Sequence, residues 1–341
     1  MTIVRAHQRT TARANDWIRR ARGRDGNGDD DRREPITAFV LSGGGNQGVS
    51  QVGQLRALIE RDIVPDVVVG TSAGALNGAA IAYAPNLTGL DRLAAAWTGL
   101  TTGDIFPGGK LSRAWNIVRR GTHLFTNEGL LGVMERSTPA RSFSDLVVPL
   151  RVVAADLDTG EEVVFTKGPL QPALLASAAL PGVFPVIEHD GRRLVDGGVV
   201  NSVPLWHALS GPVDRVFVLN VSHGVSDRAP RSPLDVVITS FAHARNMRYE
   251  LERRIAPDHV EIIELPRPAD PRDLYDFSGG AAMIDEAHTL AAEALDDYLS
   301  GAITQTSEDS RQHRRMRIRF ARRAPLAVPT ADEPTSVTTT P

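Results

Sequence analysis

Two short apolar runs, each stopping at glycine and each giving way to a helical pattern, constrain this chain more than any other feature. Residues 36–41 end at Ser42-Gly43-Gly44-Gly45. Over 49–61 the apolar residues Val52, Leu55, Leu58 and Ile59 then recur at the spacing of one helix face. Val67-Val68-Val69 ends at Gly70, and 73–84 is small and apolar enough for a buried helix. Strand, helix, strand, helix in this order predicts an α/β fold built on a parallel sheet with right-handed crossovers.

The same pattern continues further on. Strands are expected at 150–154, 162–166, 193–195, 215–221 and 260–265, and long helices at 233–255 and 281–299. Between them, 85–144 lacks strand signals and carries short helical patterns at 90–100, 111–119 and 127–136. Residues 1–34, rich in Arg, Asp and Gly, bury too little apolar surface to offset ordering, and the segment from about 301 is similar. Both are read as disordered tails. No apolar core of a signal peptide and no membrane-length apolar stretch is visible, which sets the expectation of a cytoplasmic protein.

Composition removes whole classes of chemistry. The chain has no cysteine, so a thiol nucleophile, a thiolate metal site and a disulfide scaffold are excluded together. A net charge of −3 gives no reason to expect a specific nucleic-acid partner.

Gly43-Gly44-Gly45-Asn46-Gln47-Gly48 follows a strand and opens a helix, and it fits two sites. A dinucleotide-binding turn would need an acid at the end of the second strand to hold the ribose. That strand ends in Gly70-Thr71-Ser72, and Asp62 and Asp66 precede it, so the nucleotide reading fails there. The other reading is an oxyanion hole: side-chain-free residues aim successive amides into one space, with a helix N-terminus behind them. A tight turn without any ligand is the plain alternative.

Gly70-Thr71-Ser72-Ala73-Gly74 is a G-x-S-x-G turn between strand and helix, which exposes a serine at the sheet's C-terminal edge. Its base could be a histidine held by a carboxylate, with His207, His223, His243 and His288 in suitable chain order. It could equally be an aspartate within hydrogen-bond reach. Asp196, at a strand end before Gly197 and Gly198, is such a residue, although a turn aspartate would look the same.

These three features, in this order, resemble the patatin-like phospholipases. The resemblance spans roughly 36–299, and includes 176–185 (ASAALPGVFP) and Asn201-Ser202-Val203-Pro204. It implies a three-layer α/β/α sandwich with a mainly parallel central sheet and a helical cap. The acyl-hydrolase domain would cover 35–300, with the cap at about 85–144. It implies Ser72 as nucleophile, Asp196 as its sole partner and the 43–48 loop as oxyanion hole. Gly70 and Gly74 would shape the elbow, Gly197 and Gly198 would follow the base, and no metal or cofactor would be needed. Lipid or lysophospholipid esters are the implied substrates, cleaved through an acyl-Ser72 intermediate. Gln47 departs from the family pattern, which usually has Arg or Lys there. Two other outcomes stay open: a triad esterase, and a weakly active lipid-binding or regulatory protein.

An acyl chain needs an apolar channel, for which Phe106, Trp115, Leu124, Phe125, Leu130 and Leu131 are candidate lining residues. The basic run 311–323, interleaved with Met316, Ile318 and Phe320, suits peripheral contact with an anionic membrane surface.

Overall fold

Strands β1 (Thr37–Leu41) and β2 (Val67–Thr71) are buried at every residue, as parallel strands covered on both faces must be. The computed structural model describes residues 34–106, 123–222, 233–268 and 276–301. The pattern at 111–119 with Trp115, the run 311–323 and most of both expected tails lie outside them. The sheet belongs to the first of two compact units, Met1–Leu295 and Asp296–Pro341. Among the described residues no helix is long and apolar enough to cross a membrane.

The first half of the chain alternates strand and helix. A 3-10 turn at Gly45–Gln47 leads into α1 (Gly48–Ile59), and β2 is followed by α2 (Ala73–Tyr83), α3 (Leu87–Thr98), α4 (Thr102–Ile105) and α5 (Glu128–Ser137). Then come β3 (Leu150–Asp156), β4 (Glu162–Phe165), α6 (Leu170–Ser177), β5 (Ile187–His189) and β6 (Arg192–Asp196). The last described elements are α7 (Leu205–Leu209), β7 (Arg215–Leu219), α8 (Pro233–Ile255), β8 (Glu261–Glu264) and α9 (Gly280–Leu299). Most expected elements appear within a few residues of their expected ends. Those that escaped expectation are short: the four-residue α4, α6, α7 and the three-residue β5. Strand β5 had a local signal, because Asp190 and Gly191 both take positive φ between paired His189 and Arg192, the geometry of a two-residue hairpin turn.

The eight strands run in the order β5-β6-β3-β2-β1-β7-β8, with β4 also on β3. Pairings from β3 through β2, β1 and β7 to β8 are parallel, whereas β4, β5 and β6 join antiparallel. One face, with Ala38, Val40, Val69 and Val218, packs with Leu205 and Leu209 of α7 and Tyr249 of α8. On the other face Phe39 meets Phe217 edge-on at 6.0 Å, and α2 lies so close that a Cβ on Gly78 would touch Val68. That makes three layers: helix, sheet, helix.

One detail of register places the site. Val152 pairs with both Gly70 and Phe165, and Ala154 with both Val163 and Asp196. Partners of one residue lie on opposite edges, so β2 and β6 follow each other along the edge of β3 that faces away from β4. Strand β2 ends at Thr71 beside Val153, and β6 ends at Asp196 beside Ala154. Strand pairing therefore brings the serine after Thr71 next to Asp196, across more than a hundred residues of chain.

Candidate active site

Ser72 sits between β2 and α2 with φ 54° and ψ −124°, a strained conformation for a residue with a side chain. Three restraints hold it there. Its N–H donates to Ser177 Oγ at 2.8 Å, and the Ser177 hydroxyl donates to the Val153 carbonyl at 2.6 Å. The Thr71 hydroxyl donates to the Asn201 carbonyl at 3.0 Å. Gly74 lets the elbow close onto β1, since a Cβ there would stand 2.3 Å from the Leu41 carbonyl oxygen.

The Ser72 hydroxyl donates to Asp196 Oδ2 at 2.6 Å. Asp196 is 5% exposed, and its other oxygen accepts from the Gly198 N–H at 2.7 Å. Its own N–H donates to the Ala179 carbonyl, so the stretch 176–185 supports both Ser72 and Asp196. A buried carboxylate on a serine hydroxyl can accept its proton directly, with no imidazole between them.

Of the first glycine loop, Gly43, Gly44, Gly45 and Asn46 line the cavity that holds Ser72, and Gln47 and Gly48 do not. The Gly43 N–H is already spent on the Ser202 carbonyl at 2.9 Å. Among the described residues the amides of Gly44 and Gly45 have no acceptor. Gly45 takes φ 57°, which glycine adopts without cost. Gln47 is buried, and its Nε2 has no partner among the described residues. Gly48 touches the elbow instead: a Cβ on it would stand 2.8 Å from the Cβ of Ala73.

The cavity measures about 170 Å³ and is apolar away from this corner. Phe106 and Leu130 line it, as expected of them; Leu124, Phe125 and Leu131 do not. Phe125 packs behind Phe106, with ring centroids 4.9 Å apart. Sequence reasoning did not single out Trp97, Phe184 or Phe277. Phe184 stacks on Phe106 at 5.9 Å and Phe277 on Trp97 at 6.5 Å. Trp97 donates from Nε1 to Asn77 Oδ1 at 2.7 Å, and Asn77 in turn donates to the Gly48 carbonyl at 2.8 Å. The aromatic wall is thereby tied to the glycine loop.

None of the described histidines lines this cavity. His207 contacts Glu162, His288 contacts Glu60 at 2.6 Å, and His243 is exposed. His223 lies outside the described residues. No group of three or more metal-ligating side chains occurs among the described residues.

The profile of the family described as patatin-like phospholipase matches residues 39–209. Mouse patatin-like phospholipase domain-containing protein 7 is 31% identical over 221 residues, 64% of this chain but 15% of the mouse protein. An uncharacterized NTE family protein of Mycobacterium tuberculosis is 31% identical over 208 residues, 60% of this chain and 54% of that one. The chain thus spans only part of the curated relatives it matches. The structure of human GIVD cytosolic phospholipase A2 aligns with a TM-score of 0.42 at 12% identity, over 88% of this chain and 63% of the human one.

Proposed function

The chain belongs to the patatin-like phospholipase family, and from that premise we propose that it hydrolyses lipid carboxylic esters through an acyl-Ser72 intermediate. The observation that carries the proposal is the 2.6 Å hydrogen bond from Ser72 Oγ to Asp196 Oδ2, at a strained turn in the corner of an apolar cavity.

Asp196 takes the Ser72 proton as Oγ attacks the ester carbonyl. The oxygen that becomes negative is met by the Gly44 and Gly45 amides, which are fixed before the substrate arrives. Collapse of the adduct expels the alcohol, which leaves with the proton from Asp196. Water then attacks the acyl-serine, giving its proton to Asp196, and the proton returns to Ser72 as the fatty acid departs. The acyl chain lies against Phe106, Leu130 and Phe184. A lipid or lysophospholipid ester supplies both an apolar chain and a carbonyl, and no metal or cofactor takes part in the proposed steps. Gln47 leaves room for a second reading, a lipid-binding protein with little turnover, because the cation usual in the family is missing.

Labelling with a fluorophosphonate separates the readings. The wild type should label fully, Ser72→Ala should not label at all, and Asp196→Asn should label at least about a thousandfold more slowly. An unreactive wild type would favour the binding protein, and labelling that survives Ser72→Ala would move the nucleophile elsewhere.

A further inference from the structure

Ser202 lines the cavity, and its side-chain hydroxyl has no hydrogen-bond partner among the described residues. The other hydroxyls that line it are engaged, Ser72 with Asp196 and Ser222 with Asn220, and Asn46 donates from Nδ2 to the Asp276 carbonyl. Ser202 is 2% exposed, so its hydroxyl has lost water and gained no partner among the described residues.

Its neighbours are the groups that matter to the reaction. The point where a Cβ of Gly43 would stand lies 3.2 Å from Ser202 Oγ and 3.3 Å from Ser72 Cβ. A side chain at 43 would crowd both the hydroxyl and the serine, which glycine leaves clear. The Ser202 carbonyl consumes the Gly43 N–H, removing one donor from the glycine loop, while the Ser202 hydroxyl stays unspent beside it.

The segment that carries Ser202 cannot relax to relieve that hydroxyl. The Asn201 carbonyl is held by the Thr71 hydroxyl at 3.0 Å and the Val200 carbonyl by Arg248 Nη1 at 3.1 Å. The Trp206 N–H donates to Glu252 Oε2 at 2.9 Å, and Glu252 is itself buried and paired with Arg248. Helix α8 thus braces the loop from behind while both glycine turns hold it in front. A donor kept dry, unpaired and immobile next to a nucleophile is the arrangement that electrostatic stabilisation of a transition state requires.

We propose that Ser202 is a further hydrogen-bond donor of the reaction centre, its Oγ–H donating to the oxygen that develops charge at the reacting carbonyl, beside the Gly44 and Gly45 amides. Rotation of the hydroxyl about its Cβ–Oγ bond directs the hydrogen into the cavity, with Oγ kept in place. No bond is made or broken at Ser202, and its proton stays on Oγ throughout. This role rests on the acyl-hydrolase reading above and adds a side-chain donor to it.

The test is Ser202→Ala, assayed on p-nitrophenyl esters and by thermal unfolding together. Because the oxygen has no partner among the described residues, its removal should leave Tm unchanged or raise it. Loss of a transition-state donor should lower kcat by about 10- to 100-fold with KM within about threefold, and should slow fluorophosphonate labelling without reducing its final extent. An unchanged kcat would overturn the role. So would a lower kcat accompanied by a lower Tm, which is what a merely structural hydroxyl predicts. A wild type that neither turns over esters nor labels defeats the acyl-hydrolase reading and this one with it, whereas an active wild type with an equally active Ser202→Ala defeats only this one.

Discussion

On one side of the cavity the wall consists of backbone and short polar side chains at strand ends: Gly43 to Gly45 after β1, Ser72 after β2 and Asp196 closing β6. On the other side it consists of large side chains drawn from elements far apart in sequence, among them Trp97 of α3, Leu130 of α5, Phe184 after α6 and Phe277 before α9. The polar wall is set by hydrogen bonds and strand register, so its geometry leaves no slack. The aromatic wall is set by shape and burial, which several side chains of similar volume can satisfy. Under the proposed function, reaction chemistry and substrate fit would therefore sit on surfaces with different tolerance to change.

The harshest way to probe that contrast is to add one carbon to the rigid side. In Gly74→Ala the new Cβ would stand 2.3 Å from the Leu41 carbonyl and 2.5 Å from the Ser42 carbonyl, both backbone atoms of a fully buried strand end. Neither can move without unpairing β1. The expected cost is about 3 kcal/mol or more, with activity lost along with it. Thermal unfolding and ester turnover measured side by side check this. A stable, active Gly74→Ala would show that the elbow is looser than its contacts require.

The same contrast explains what could be read from the chain beforehand. Ser72, Asp196 and the glycine loop were legible because each announces itself locally, as a strand running into glycine, and the family pattern supplied the pairing. The reason the two meet was not legible. It lies in β2 and β6 sharing one edge of β3, a fact of long-range register. Ser177 was visible only as part of the 176–185 segment, because nothing local says that its hydroxyl will hold the Ser72 amide. On the aromatic side, Phe106 and Leu130 were anticipated, but so were Leu124 and Leu131, which are half-buried elsewhere. Phe277 carries no signal at all, since its place depends on how α9 returns to the loop before α1. Burial against a distant element has no periodicity to read.

A milder change on the tolerant side should sharpen the division. Phe106 is the hub of the aromatic wall, within 6.1 Å of the Phe125, Phe184 and Phe277 rings. Phe106→Leu keeps an apolar side chain but surrenders those ring contacts. Turnover of a butyryl ester should stay within about twofold of wild type, while kcat/KM for a lauroyl ester should fall about tenfold. The comparison of the two esters is the readout. An equal loss on both would mean that the aromatic wall positions the serine as well as the chain, and the two surfaces would no longer be separable.

The smallest effect is expected where a polar cluster stands apart from both walls. Glu162 meets His207 and Arg248 on the β4 side of the sheet, away from the cavity. Burial pushes the Glu162 carboxyl up, but the His207 hydrogen bond and the charges of Arg248 and His207 outweigh it and hold the group below its ordinary value of 4.5. A carboxyl depressed in the folded state contributes stability that is present above its unfolded pKa and is lost as pH falls through the folded one. His207→Gln removes part of that contribution. It should cost about 1 kcal/mol near neutral pH, and the difference from wild type should narrow below about pH 4.5. Ester turnover at neutral pH should stay within about twofold, because Asp196 reaches Ser72 without an imidazole. Unfolding followed across pH tests the first half and turnover the second. His223→Ala, at a histidine in suitable chain order that lies outside the described residues, belongs in the same experiment. Inactivation by either substitution with Tm preserved would return the base to a histidine, and the polar wall would then extend beyond the strand ends that define it.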